Sequence, residues 1–408
     1  MMRLSHLALV ALAACQFDTS TTGSQVSGDA GQPLNDAEEG QDASAFDPDA
    51  AAAAIDCQDW VVQPTILDPC TDIEISEVDD ALVLDQTGNE YQYDTDLGTL
   101  TAPNLDNVPH TNLILGTGGS APRVVVARTI DLKSMVTLRA TGTRPLILVS
   151  WGDITVSGTI DVGSDTELGA GGNASDCTVA MPGEDNSDGG GGGGGGGGFG
   201  GAGGDGAEAA NGKNGGNGGN GGQSVVSPGF RGGCPGANGG DGQSNLGGSA
   251  GNGGGAVYLL ARKTLIVSGA VTAGGQGGAG AQGDRSGGAG GGSGGMIGIE
   301  AETIQLNSGA VIAANGGGGG GGADEDPADS GNPGRATTTA ALGGAGDNSP
   351  AGDGGRGAAA ALVNGGIGAT NSNSGGGGGG GGGGVGVVFE VSDSFQAPGA
   401  LISPALTQ

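Results

Sequence analysis

The chain has 408 residues, long enough for two or three domains, but 99 of them are Gly, 35% are apolar and only 3% are aromatic. The usable core is therefore that of a much smaller protein, with a Gly-rich remainder around it. Thirteen Lys and Arg stand against 44 Asp and Glu, a net charge of −31, which argues against binding to nucleic acid, and two His (His6 and His110) leave little room for His-dependent catalysis.

The first 14 residues read as a lipoprotein signal peptide. Met1-Met2-Arg3 is a short charged start, and Leu7 to Leu12 an apolar run too short to span a bilayer. Leu12-Ala13-Ala14-Cys15 follows and resembles the lipobox of bacterial lipoproteins, which implies cleavage before Cys15 and acylation of that residue. Acyl chains at ~0.8 kcal/mol per buried methylene make such an anchor durable. Gln16 stands where some lipoproteins use Asp for inner-membrane retention, so the expected address is the outer membrane, surface-exposed. Residues 15–56 read as an acidic disordered tether: from 16 to 56 there are nine acids and no Lys or Arg, with no periodicity.

Four Cys remain after Cys15, and an even number in an exported chain points to two disulfides. Three pairings are open, and proximity favours Cys57–Cys70 and Cys177–Cys234. Zinc competes poorly, because no Cys-x-x-Cys is present and His110 is the sole imidazole after the signal peptide. Residues 57–122 are assigned to a disulfide-stapled N-terminal cap.

From 123 to 404 a unit of about 18 to 20 residues recurs. Its clearest copies begin at Pro145, Ala256 and Met296, with an earlier copy at 124–138 and a degenerate one at 385–402. Each reads strand, bend, strand, Ser-Gly turn, strand. Ile154, Val156, Ile160 and Val162 alternate with Thr155, Thr159 and Asp161, the period of a strand with one buried face. The turn Gly suits a positive φ. Stacked copies would share an apolar face that one copy cannot bury alone. The expected fold class is all-β, a right-handed parallel β-helix-like solenoid; a β-sandwich is the structural rival. Long Gly-rich insertions at 163–254, 274–294 and 316–384 interrupt it, leaving at one point of the unit.

Within the first insertion a non-Gly residue often falls at every third place, as in Asn211, Asn214, Asn217 and Asn220. Period three is that of a polyproline II-type helix, which has no internal hydrogen bonds. Two readings stay open: a laterally bonded, polyglycine II-like bundle, or disorder, since Gly loses the most backbone entropy on ordering. In the bundle the Asn row points outward together and offers amides to a repeating polar surface such as a polysaccharide.

The lipobox, the acidic tether, the unit Thr143 to Asp161 and the Gly-Gly-x insertions together resemble the glycine-rich surface lipoproteins of myxobacteria. That resemblance covers about 100–403 in pattern and implies a cell-envelope location with no known reaction.

Candidate catalytic groups are few, and no catalytic residue is assigned. Asp79-Asp80 is the one adjacent Asp pair, and the motifs of polygalacturonase-like sites are absent. Arg123, Arg128, Lys133, Arg139 and Arg144 form the one basic cluster and read as outward strand faces. Trp60, Trp151 and Tyr258 are widely spaced in the chain. Gly200 to Asp205 matches the start of a Gly-Gly-x-Gly-x-Asp calcium repeat, but Ala207 is a poor plug and no copy follows in register. Asp324, Glu325, Asp326 and Asp329 read as a solvated acidic loop; no metal or cofactor is assigned. The expected function is a lipid-anchored structural or adhesive surface protein, meeting the membrane through its anchor and a cell-surface polysaccharide or protein through its Gly-rich edges. A β-helix glycan-active enzyme and an ice-binding or extracellular-matrix protein are the alternatives.

Overall fold

Short parallel strands, stacked unit upon unit, make up most of the regular structure. The computed structural model describes residues 60, 66–73, 81–86, 88–105, 108–209, 215–225, 229–243, 246–347, 351–370 and 375–407. The fold is nearly all β: among the described residues the helix is a single turn, α1 (Pro69–Asp72), whose N-cap Asp68 accepts from the Cys70 amide. The signal peptide, the tether with Cys15, and Cys57 lie outside the described residues.

The strands before 123 are β1 (Leu82–Leu84), β2 (Glu90–Asp94), β3 (Thr99–Thr101) and β4 (Thr111–Ile114). The recurrent units then supply β5 (Arg123–Ala127), β6 (Ile130–Leu132) and β7 (Thr137–Thr141), followed by β8 (Leu146–Ser150), β9 (Ile154–Val156) and β10 (Thr159–Asp161). The third unit gives β11 (Ala256–Ala261), β12 (Thr264–Val267) and β13 (Ala270–Thr272). In the last two units the bend disappears, leaving β14 (Met296–Leu306) with β15 (Val311–Ala313), and β16 (Val387–Gln396) with β17 (Leu401–Ser403).

Equivalent strands of successive units pair in parallel and in register. Val125, Leu148, Leu259 and Ile299 form one aligned row. Ile130, Ile154, Leu265, Ile304 and Phe395 form a second. Leu138, Ile160, Val271, Ile312 and Ile402 form a third. A one-residue slip would turn every aliphatic side chain of a strand to the other face, so the shared core fixes the register. All three rows contribute to one core.

The sheets begin upstream of the first recurrent unit. β1 pairs with β6 and β2 with β7 in parallel, while β3 and β4 add antiparallel to β2 and β5, so both sheets are mixed. A second difference concerns burial. β5, β8 and β11 are buried on both faces. Their second face carries Val124, Val126, Ile147, Val149, Tyr258 and Leu260, covered by Trp60, Leu67, Ile73 and Trp151.

The turn glycines serve two different needs. Gly309 and Gly399 have φ values of 87° and 74°, as a positive-φ turn requires. Gly158 and Gly269 do not. There a Cβ would overlap backbone carbonyl oxygens of the preceding unit, Val136 at the first and Gly158 at the second. Close approach of stacked turns selects Gly at those two positions.

Each insertion starts after a unit's last strand (β10, β13 or β15) and returns at the first strand of the next unit (β11, β14 or β16). Those ends are neighbours in the sheets, so the insertions emerge side by side. The ladder runs on into them, with Ser164 donating to the Gly274 carbonyl and Gly275 to that of Asn315.

Candidate functional site

The Gly-rich insertions fold against one another through their backbones. In 191–197 the amides take three directions in rotation. Gly191, Gly194 and Gly197 donate to Arg285, Gly288 and Gly291; Gly192 and Gly195 to Glu184 and Met181; Gly193 and Gly196 to Ala207 and Gly204, all at 2.8–3.0 Å. The carbonyls rotate likewise: those of Gly190, Gly193 and Gly196 accept from Gly216, Gly219 and Gly222, those of Gly191, Gly194 and Gly197 from Gly378, Gly381 and Gly384, and those of Gly192 and Gly195 from Gly240 and Ala237. Three donor and three acceptor directions give this segment six bonded neighbours. Its amides, which a three-residue period leaves without partners inside the segment, are thereby satisfied.

Three more segments, 286–295, 315–323 and 375–386, are surrounded in the same way and are buried along their length. Around these four, ten outer segments bond in a closed ring: 177–185, 215–223, 200–209, 363–370, 351–358, 341–347, 328–335, 274–282, 246–254 and 232–241, the last returning to the first through Gly183 and Asn238.

Only Gly fits most of the interior. A Cβ on Gly193, Gly194, Gly195 or Gly196 would overlap the carbonyl oxygen of a neighbouring segment. The energetics are finely balanced. Ordering a residue's backbone costs about 1–2 kcal/mol and Gly loses more than any other, while a hydrogen bond returns about 0.5–1.5 kcal/mol net. Covalent ties at both insertion ends and the Cys177–Cys234 disulfide, which joins outer segments 177–185 and 232–241 across a separation of 57 residues, reduce that entropy.

Outer segments turn about every third residue to solvent, at a spacing of ~9 Å along the segment for a polyproline II-type rise. Asn217 and Asn220 are two such residues and both are exposed. The Asn217 side-chain amide donates to Glu184 Oε2 at 2.6 Å, and Asn220 Nδ2 lies 3.7 Å from Met181 Sδ on the same neighbouring segment. Asn211 and Asn214 lie outside the described residues, as do Asp79 and Asp80. Asp205, in the calcium-like stretch, bonds within the bundle by accepting from the Gly221 amide. In the acidic loop, Asp324 faces Arg285 at 3.8 Å, and Asp347 accepts from the Asp326 amide. No cluster of metal-ligating side chains occurs among the described residues.

The basic cluster divides. Lys133 pairs with Asp131, Arg139 with Asp161 at 2.7 Å, and Arg144 bonds the Gly118 and Ala121 carbonyls. Arg128, Lys133 and Arg144 lie just outside the strands, so Arg139 alone keeps the outward strand reading. Arg123 departs from it differently: it is buried, donating to the Thr95 and Asp96 carbonyls and to Asn112. Antiparallel β4 and the turn after β2 cover its end of β5, which spacing along β5 alone does not reveal. The aromatic residues, distant in sequence, are brought together. Trp60 meets Trp151 edge-on at 5.6 Å, and Tyr258 packs against Phe389 and Phe230 at 5.8 and 5.9 Å. Trp60, Trp151 and Tyr258 are buried, so they serve the core. Cys70 is half-buried at the helical turn.

Sequence reasoning did not find Arg231. Its guanidinium pairs with Asp176, lies 3.2 Å from Cys234 Sγ through Nη2, and stands over the Phe199 ring. Nothing in its local sequence signals this role.

Comparison of the chain with protein-family models, with curated proteins and with solved structures finds no match.

Proposed function

We propose that this chain is a lipid-anchored structural or adhesive protein of the cell envelope, a right-handed parallel β-helix carrying a polyglycine II bundle whose outer rows meet a polysaccharide. The observation that carries the reading is the closed outer ring, because it converts a low-complexity sequence into a rigid surface with side chains at regular intervals. Parallel, in-register stacking of equivalent strands supports the β-helix. Six-neighbour backbone bonding supports the polyglycine II assignment. A row of amide side chains such as Asn217 and Asn220 suits a repeating hydroxylated surface, where each contact contributes ~0.5–1.5 kcal/mol and binding depends on the row acting together.

The experiment is retention of the mature protein on insoluble cell-surface polysaccharide, wild type against Asn217→Ala/Asn220→Ala. At least tenfold weaker retention of the double variant is expected; equal retention overturns the role of this row. Anchorage is tested separately. Cys15→Ala is expected to move the protein from the membrane to the soluble fraction, and unchanged membrane retention overturns lipidation.

A further inference from the structure

A cavity of about 710 Å³ lies where the sheets meet the bundle, away from the Asn217 row. Its walls include Thr143 from the turn before β8, Asn173, Ser175 and Asp176 from the start of the first insertion, and Phe230 and Arg231 ahead of the disulfide. The volume is within the range of small-molecule sites and accommodates one or two sugar rings. We propose that this cavity binds a neutral sugar unit. This deepens the polysaccharide reading above and rests on it.

Three features select that chemistry. Arg231 and Asp176 on the wall pair with each other, so the cavity offers an anion no unpaired cation from this pair. The Asp176 side chain is itself 65% exposed and keeps acceptor lone pairs for hydroxyl donors. Finally, half-buried Phe230 gives the wall an apolar ring and exposed Ser175 a hydroxyl, while the Asn173 amide is already engaged, donating to Asn252 and accepting from the Gly253 amide. An apolar patch with a hydroxyl and a carboxylate beside it matches the alternating C–H and O–H faces of a pyranose.

The test is saturation-transfer NMR on the full mature chain, with glucose, N-acetylglucosamine and cellobiose as probes and glucuronate as the charged counterpart. Transfer to at least one neutral probe is expected, with glucuronate at least tenfold weaker. Ser175→Trp, at an exposed position, should fill the opening and abolish transfer. Phe230→Ala should weaken it at least tenfold. Ser120→Trp on another wall repeats the block should Ser175→Trp fail to fold, with unchanged amide-exchange protection of 190–198 as the fold check. No transfer from any neutral probe, or undiminished transfer in a folded Trp variant, overturns the proposal. The two readings fail separately: retention on insoluble polysaccharide reports the Asn217 row, and soluble-sugar transfer reports the cavity.

Discussion

The guanidinium carbon of Arg231 stands 4.8 Å from the centroid of the Phe199 ring, with the Cys177–Cys234 bridge beside it. Phe199 ends the central Gly run 189–198 and is fully buried against Ala256 and Met296, the first residues of β11 and β14. One aromatic side chain thus ties the bundle interior to the sheets, and one cation covers it.

Removing that ring should be felt in both parts. Phe199→Ala is expected to lower stability by roughly 3–5 kcal/mol, the range for a buried Phe truncated to Ala. Phe199→Leu keeps most of the apolar volume and loses the cation–ring contact, so its loss should be smaller. Denaturant midpoints of the two variants check this; an Ala variant within about 1 kcal/mol of wild type would show that the site collapses without cost.

The interior glycines should tolerate almost nothing, and the outer rows almost everything. Gly194→Val puts a branched side chain into the Ala237 and Asn238 carbonyls. Hydrogen exchange across 190–198 is expected to rise by orders of magnitude. Asn217→Ala, at an exposed position bonded to Glu184, should change stability by no more than about 1 kcal/mol. Comparable exchange in both variants would mean that the six-neighbour network does not hold the segment.

How much of this could be read from the chain depends on which interaction decides each element. Strand positions in the units at Pro145 and Ala256 follow from alternation, because Ile154, Val156, Leu265 and Val267 face one continuous core. β1 and β2 escaped that reading: Leu82–Leu84 is too short to show a period, and its partner Ile130–Leu132 lies in another unit. The double burial of β8 depends on Trp60 and its neighbours, contributed from far upstream. The period of three in the first insertion is visible in the sequence, but the pairing of Gly194 with Gly288 and Gly381 is not. Gly has no side chain, so one poly-Gly run carries no label to distinguish its neighbours. The Arg231 site is invisible for the same reason: its partners, Asp176, Phe199 and the disulfide, are assembled by backbone packing.

Tyr93 gives a pH-dependent outcome. Burial pushes its phenol well above the ordinary value, the Arg123 charge pulling only partly back, and the hydroxyl has no hydrogen-bond partner among the described residues. Because the folded state resists this ionisation, the group leaves stability independent of pH below its unfolded value of about 10 and lowers it as pH rises above that value, where only the unfolded chain releases the proton. Tyr93→Phe removes both the unpaired hydroxyl and the titration. The variant should be at least as stable as wild type near neutrality, and its advantage should widen above about pH 10. Urea midpoints on both sides of that pH measure it; a variant that loses ground as pH rises would contradict the assignment.

The disulfide should matter most where the energy balance is finest. Closing a loop with a separation of 57 residues removes chain entropy worth about 4 kcal/mol from the unfolded ensemble. That is comparable with the net return of several backbone hydrogen bonds, and the outer segments 177–185 and 232–241 have few buried side chains to compensate. Cys177→Ser/Cys234→Ser should therefore loosen these two segments first and raise their amide exchange toward that of an unstructured chain. The sheets keep their own aliphatic core, so exchange in β8 and β11 should stay slow. Opening of the sheets together with the outer segments would show that bundle and sheets unfold as one unit, and unchanged exchange in both would show that the backbone network alone orders the insertion.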